Sequence, residues 1–139
     1  VVIIGGGLVG LELAEYLVER RRRVTVLEPG PTFAPELAIV RRARVLHQLQ
    51  AQGAVLHKAA GNIAIGERAV HFSLGAEMQE QPCAQVIIAL GAQPDDRLFR
   101  QLSASGAKVH QIGDCRRLGY IEGAILDARE LVQRLEQAH

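Results

Sequence analysis

The chain is predicted to be an α/β protein: a parallel sheet flanked by helices, with an antiparallel β-meander inserted as a crossover. Three observations predict it. Two short runs, Val1–Ile4 and Val24–Leu27, are almost wholly β-branched or apolar, the pattern of strands covered on both faces. Between them a glycine cluster opens a stretch of helical periodicity, which makes a βαβ unit. Further on, around 62–82, the period switches to two, the mark of strands with one wet face. The 139 residues, 48% hydrophobic and 22% charged, suit a chain with a real core and argue against disorder.

Taken in order, Val1-Val2-Ile3-Ile4 forms the first strand and Gly5-Gly6-Gly7 breaks it. From Leu8 to about Arg20, Leu8, Leu11, Ala14, Leu17 and Val18 recur at helical spacing, with Glu12, Glu15 and Glu19 elsewhere on the wheel. Arg20 to Arg23 sit where that helix ends, cations suited to its C-terminal dipole. Val24–Leu27 is the second strand, with Glu28 at its carboxyl end. Pro29-Gly30-Pro31 opens a loop that Pro35 extends, and a second helix is expected from about Glu36 to Gln52, stopped by Gly53. Ala54–His57 should be the third parallel strand. Ile63 and Ile65, a turn at Gly66-Glu67, then Val70, Phe72 and Leu74 make an antiparallel hairpin, and Ala76–Gln81 a third meander strand. Gln85–Leu90 returns to the fully buried type. A short helix around Arg97–Leu102 leads to a strand at Lys108–Ile112, which Gly113-Asp114 ends. The last helix, from about Gly119 to Gln137, carries Ile121, Ala124, Ile125, Ala128, Leu131, Val132 and Leu135 on one face.

Several function classes are disfavoured. A net charge of +1 gives no reason to expect nucleic acid or an anionic membrane surface as partner. No apolar run reaches the roughly 18–20 residues of a membrane helix. Cys83 and Cys115 make neither a disulfide framework nor a CxxC pair, which suits a reducing, cytoplasmic setting. His47, His57, His71, His110 and His139 show no metal-ligand spacing with either cysteine. The Tyr-x-x-x-Lys pair of short-chain dehydrogenases is missing: Tyr16 is followed four on by Arg20, and Tyr120 by Ala124. The chain opens at Val1 with a strand under way and neither initiator Met nor leader, as expected of a piece of a longer protein.

One motif carries chemistry. Gly5-Gly6-Gly7-Leu8-Val9-Gly10 fits G-x-G-x-x-G, with Ala14 as the small residue four places on and an acid, Glu28, at the tip of the next strand. Gly5 permits a tight turn, Gly7 lets the backbone approach a pyrophosphate, and Gly10 lets the helix lie close to the sheet. The helix N-terminus offers N–H groups and partial positive charge to phosphates. Glu28 can accept hydrogen bonds from the adenosine ribose, and a carboxylate there repels a 2′-phosphate. Pro29 to Phe33 add no basic group, so NAD(H) is preferred over NADP(H), although Arg41 and Arg42 on the next helix are within swing.

Val1 to Leu17 followed by VTVLE resembles the nicotinamide-dinucleotide domain of the two-dinucleotide-binding-domain flavoproteins, the pyridine nucleotide–disulfide reductase group. The meander at 62–82 stands where that Rossmann-like domain has its crossover. Ala89-Leu90-Gly91-Ala92-Gln93-Pro94 looks like the family's A-T-G-x-x-P stretch, with Leu90 replacing Thr. Val109 to Asp114 followed by a helix resembles its G-D motif, which returns the chain to the FAD domain. The ending, from Ile112 on, most resembles the branch of 2,4-dienoyl-CoA reductase and trimethylamine dehydrogenase.

The resemblance implies residues 1–107 as the dinucleotide domain and 108–139 as the strand and helix leading back to the FAD domain. It implies that Gly5, Gly6, Gly7, Leu8, Val9 and Gly10 hold a pyrophosphate and Glu28 a ribose. Glu12 matches the family's G-x-G-x-x-G-x-E glutamate near nicotinamide and flavin, Gly91 would border the dinucleotide phosphates or close the strand tightly, and Asp114 would contact FAD in the full-length parent. No catalytic residue is expected in this segment, because NAD(P)H would pass hydride directly to a flavin. The competing reading is a binding-only module holding ADP or NAD as a structural or regulatory ligand, as trimethylamine dehydrogenase holds ADP. A ligand-sensing Rossmann domain of the potassium-transport regulatory type, of similar length and with a similar first 28 residues, is a third reading; the meander, the A-x-G-x-x-P stretch and the G-D ending weigh against it. Partners would be the dinucleotide and the FAD domain; without the latter, the last helix and the Asp114 edge would either fold back on this sheet as its final βα unit, completing a single domain, or mediate a homodimer.

Overall fold

A computed structural model of the chain describes residues 1–137 and divides into two compact units, Val1–Gly91 and the segment from Ala92 on. That division falls ahead of the 107/108 boundary read from the sequence. His139 lies outside the described residues.

In the first unit, β1 (Val2–Ile4), β2 (Thr25–Glu28), β3 (Val55–Lys58) and β7 (Val86–Ile88) form a parallel sheet in the order β3-β2-β1-β7. β4 (Ala60–Ile65), β5 (Ala69–Leu74) and β6 (Glu77–Pro82) form the antiparallel meander. The all-apolar strands are explained by a core on each side of them. Ile3 and Val26 point to the core shared with α1 (Leu8–Glu19) and α2 (Ile39–Ala51), where Leu11, Ala14 and Leu49 meet them. Val2, Ile4 and Leu27 point the other way, onto Val70 and Phe72 of the meander. The helices thus cover one face and the meander the other. Each fully buried aliphatic side chain contributes about 1.5–3 kcal/mol, so this unit has its own source of stability.

The second unit is built differently. It holds α3 (Arg97–Ala104), a 3-10 turn at Gly113–Cys115 and α4 (Tyr120–Gln137). α3 buries no residue, and on α4 the one buried residue is Asp127. Ile121, Ile125 and Val132, from the expected apolar face of α4, are exposed. None of the described helices is long and apolar enough to cross a membrane.

Three expectations need correction. The second helix starts at Ile39, not Glu36, because the Glu36 carboxylate binds elsewhere (below) and Ala38 is still extended. β7 is three residues long and half-exposed, since it pairs with β1 alone among the described strands and forms the sheet edge. Lys108–Ile112 is not a strand: Ile112 has extended dihedrals, but no described strand supplies the ladder bonds that would make it one.

Candidate functional site

β1 delivers the chain to the glycine turn at the carboxyl edge of the sheet. The Gly5 N–H donates to the Leu27 carbonyl at 2.8 Å, and the Ala89 N–H to the Ile4 carbonyl at 2.7 Å, pinning the turn between β2 and the residue after β7. Gly5 has φ +109°, and a Cβ there would lie 2.3 Å from the Ala89 carbonyl oxygen. At Gly10 a Cβ would lie 2.0 Å from the Gly5 carbonyl oxygen, so this glycine lets α1 settle onto the turn. A Gly6 side chain would meet the Phe33 ring at 2.4 Å.

Gly7 is different. Its dihedrals suit any residue, and among the described residues the one atom within 4 Å of a Cβ there would be the Glu36 carboxylate oxygen, at 3.3 Å. Three glycines of the motif are therefore demanded by the protein's own packing, while Gly7 keeps a space clear in front of α1. That space faces the first helical amides, those of Leu8, Val9 and Gly10. The intrahelical ladder starts with the Leu11 N–H donating to the Gly7 carbonyl at 3.0 Å. Gly7, at the cap position, has no side chain to accept these N–H groups and no acid stands in the first turn of α1, so any anion at the positive end of the dipole comes from elsewhere in the chain or from a ligand.

Two carboxylates approach from the β2–α2 side. Glu28 accepts from the Gly6 N–H at 2.6 Å and the Gly30 N–H at 2.5 Å, fastening the glycine turn to the following loop. Each oxygen keeps a free lone pair for a further donor. Glu36, exposed in the same loop, accepts from the Leu8 N–H at 2.6 Å. The Ala34 N–H donates to the Gly6 carbonyl at 2.8 Å, and Phe33 is buried against Gly6. Next to the turn, a cleft of about 560 Å³ is lined by Ile4, Pro29, Ile63, Ile65, Ile88 and Leu90, an apolar wall at the carboxyl ends of the strands.

The structure gathers Gly5 to Gly10 and Glu28 into one site. Val9 is 62% exposed and Glu12 is exposed on α1 beyond the first helical turn. Gly91 closes the first unit with φ +95° and open space around its missing side chain. Asp114 belongs to the second unit, where its carboxylate accepts the Gly119 N–H at 3.0 Å.

Two residues escaped the sequence reading. Glu36 looks like any acid ahead of a helix, and nothing local shows it reaching 28 residues back to Leu8. Asp127 holds the turn at Gly113: it is 1% exposed and accepts from the Gly113 N–H at 3.1 Å, Arg116 at 2.8 Å and Arg117 at 3.2 Å. Burial opposes its ionisation, but the Gly113 hydrogen bond and the charges of Arg116 and Arg117 outweigh that and hold the carboxyl below the usual range. A signal was available here, since Asp127 falls between Ala124 and Leu131 in the apolar stripe. Among the described residues no cluster of His, Cys, Asp and Glu could hold a metal ion.

Comparison with known proteins shows the family. The model of the family described as pyridine nucleotide-disulphide oxidoreductase matches residues 1–120. A bilirubin reductase of Mediterraneibacter gnavus (strain CC55_001C) is 32% identical over 115 residues, covering 83% of this chain and 18% of that protein. An NADH oxidase of Thermoanaerobacter brockii is 31% identical over 128 residues, covering 90% of this chain and 20% of that protein. A solved 2-naphthoyl-CoA reductase in complex with 2-naphthoyl-CoA is similar with a TM-score of 0.78 and 27% identity, over 91% of this chain and 19% of that one. The chain thus spans about a fifth of the length of these relatives.

Proposed function

The chain belongs to the pyridine nucleotide-disulphide oxidoreductase family, and on that premise we propose that it is the segment of a flavin-dependent oxidoreductase that presents NAD(P)H to the flavin. The observation that carries this reading is the division of labour among the glycines. Gly5, Gly6 and Gly10 are required by contacts inside the protein, whereas Gly7 leaves an opening directly in front of the first amides of α1. An opening onto unladdered N–H groups is what a pyrophosphate needs.

The residues fit the dinucleotide in three places. Leu8, Val9 and Gly10 present amides to its phosphates, and Glu28, with a lone pair left on each oxygen, accepts from the adenosine hydroxyls. The apolar cleft beside Ile88 and Leu90 offers a wall for a ring. Bound there, the nicotinamide supplies a hydride, and the chain's residues bind and orient it without a proton transfer of their own. NADH is favoured over NADPH because Glu28 repels a 2′-phosphate. Asp114 is the residue of this chain assigned to FAD. The likeness to the 2-naphthoyl-CoA reductase supports a parent in the branch of 2,4-dienoyl-CoA reductase and trimethylamine dehydrogenase, and the two cysteines without a CxxC pair favour a reducing compartment, the cytoplasm.

Calorimetric titration with NADH, NADPH and ADP tests the reading. Gly7→Val combined with Glu28→Ala should abolish NADH binding. Gly7→Val alone should leave the fold intact at a cost of about 1 kcal/mol, that of an apolar residue at a helix N-cap, because a Cβ there meets only the flexible end of Glu36. ADP binding as tightly as NADH, with nothing gained from the nicotinamide half, would favour a binding-only module instead.

A further inference from the structure

Resting on the dinucleotide reading above, we infer that Glu36 is a built-in competitor for the phosphate position, which an incoming dinucleotide must displace. The Leu8 N–H, first of the helical amides, is already donated to the Glu36 carboxylate at 2.6 Å. The same oxygen stands 3.3 Å from where a Gly7 Cβ would be, inside the space that the glycine keeps clear. A carboxylate there neutralises the positive end of α1 in the way a phosphate would. Both anions cannot hold the same amide, and their like charges oppose each other at contact distance.

The carboxylate is placed to leave. Glu36 is exposed, sits in a loop ahead of Ile39, and among the described residues its one hydrogen bond is that to Leu8. The start of α2 offers it a second position, because that helix has neither a side-chain cap nor an acid in its first turn. Glu28 plays a different part. It binds Gly6 and Gly30, not the helical amides, and stays in place while phosphates arrive.

The test compares dissociation constants of NADH, ADP and adenosine for the protein, Glu36→Gln, Glu36→Ala and Gly7→Val. Removing the charge should tighten NADH and ADP about three- to tenfold, the range of an anion at an exposed helix N-terminus combined with lost repulsion. Adenosine, which has no phosphate, should bind all Glu36 variants alike. Unchanged or weaker NADH binding in both Glu36 variants would overturn the inference. So would an equal gain for adenosine, because the effect would then come from the loop and not from competing anions. NADH that binds Gly7→Val as well as the unaltered protein, or binds none of the proteins, would instead overturn the dinucleotide reading itself.

Discussion

The two turns that end in acidic partners, at Gly5–Gly10 and at Gly113–Cys115, are held by opposite means. The first is shaped by exclusion. Backbone atoms of Ala89 and Gly5 occupy the space where side chains at Gly5 and Gly10 would go, and a sheet with apolar cores on both faces keeps those atoms still. The second is shaped by attraction. Among the described residues from Ala92 on no large apolar side chain is buried, and a single buried carboxylate, Asp127, gathers Gly113, Arg116 and Arg117. Packing can set a turn to a fraction of an ångström where a core is available. Where none is, a charged clamp does the work and brings a dependence on pH.

This contrast can be broken by substitution. The largest effect is expected at Gly10→Ala: its Cβ would overlap backbone, so α1 must lift from the turn at a cost of about 3 kcal/mol or more. Urea unfolding measures it, and a loss below about 1 kcal/mol would mean that the helix pivots freely and exclusion does not shape the turn.

Asp127→Asn should come next, and its effect should be local. It keeps the shape but removes the charge facing Arg116 and Arg117, so amide exchange should accelerate at Gly113 and along α4 while β1 and α1 stay protected. Acidification should act likewise. The folded Asp127 carboxyl lies below its unfolded value, so its contribution is fully present above the unfolded value and is lost as pH falls through the folded one. Helical ellipticity followed into acid should show that loss, and Asp127→Asn should remove this component. An acid profile identical in the two proteins would dismiss the clamp.

Gly91→Ala sharpens the comparison from the other side. Among the described residues nothing stands within 4 Å of where its side chain would begin, so only the cost of a positive φ applies, about 1 kcal/mol. A loss as large as that of Gly10→Ala would point to crowding at Gly91 that the geometry does not contain.

The first 28 residues were legible because their determinants are local: β-branched runs, a glycine turn, a 3.6-residue period and an acid at a strand end. The meander was legible for the same reason, through its change of period at Ile63 and Val70. Tertiary structure alone decided the rest. Apolar composition at Gln85–Leu90 and Lys108–Ile112 could not reveal whether a neighbouring strand exists to pair with, and pairing is what makes a buried strand. Nor could it separate Gly7 from Gly5, Gly6 and Gly10, since that depends on which backbone, ring or carboxylate lies opposite each one. Glu36 on Leu8 and Asp127 under Gly113 are contacts across 28 and 14 residues. A sequence states which groups can donate and accept, but the fold decides which of them meet.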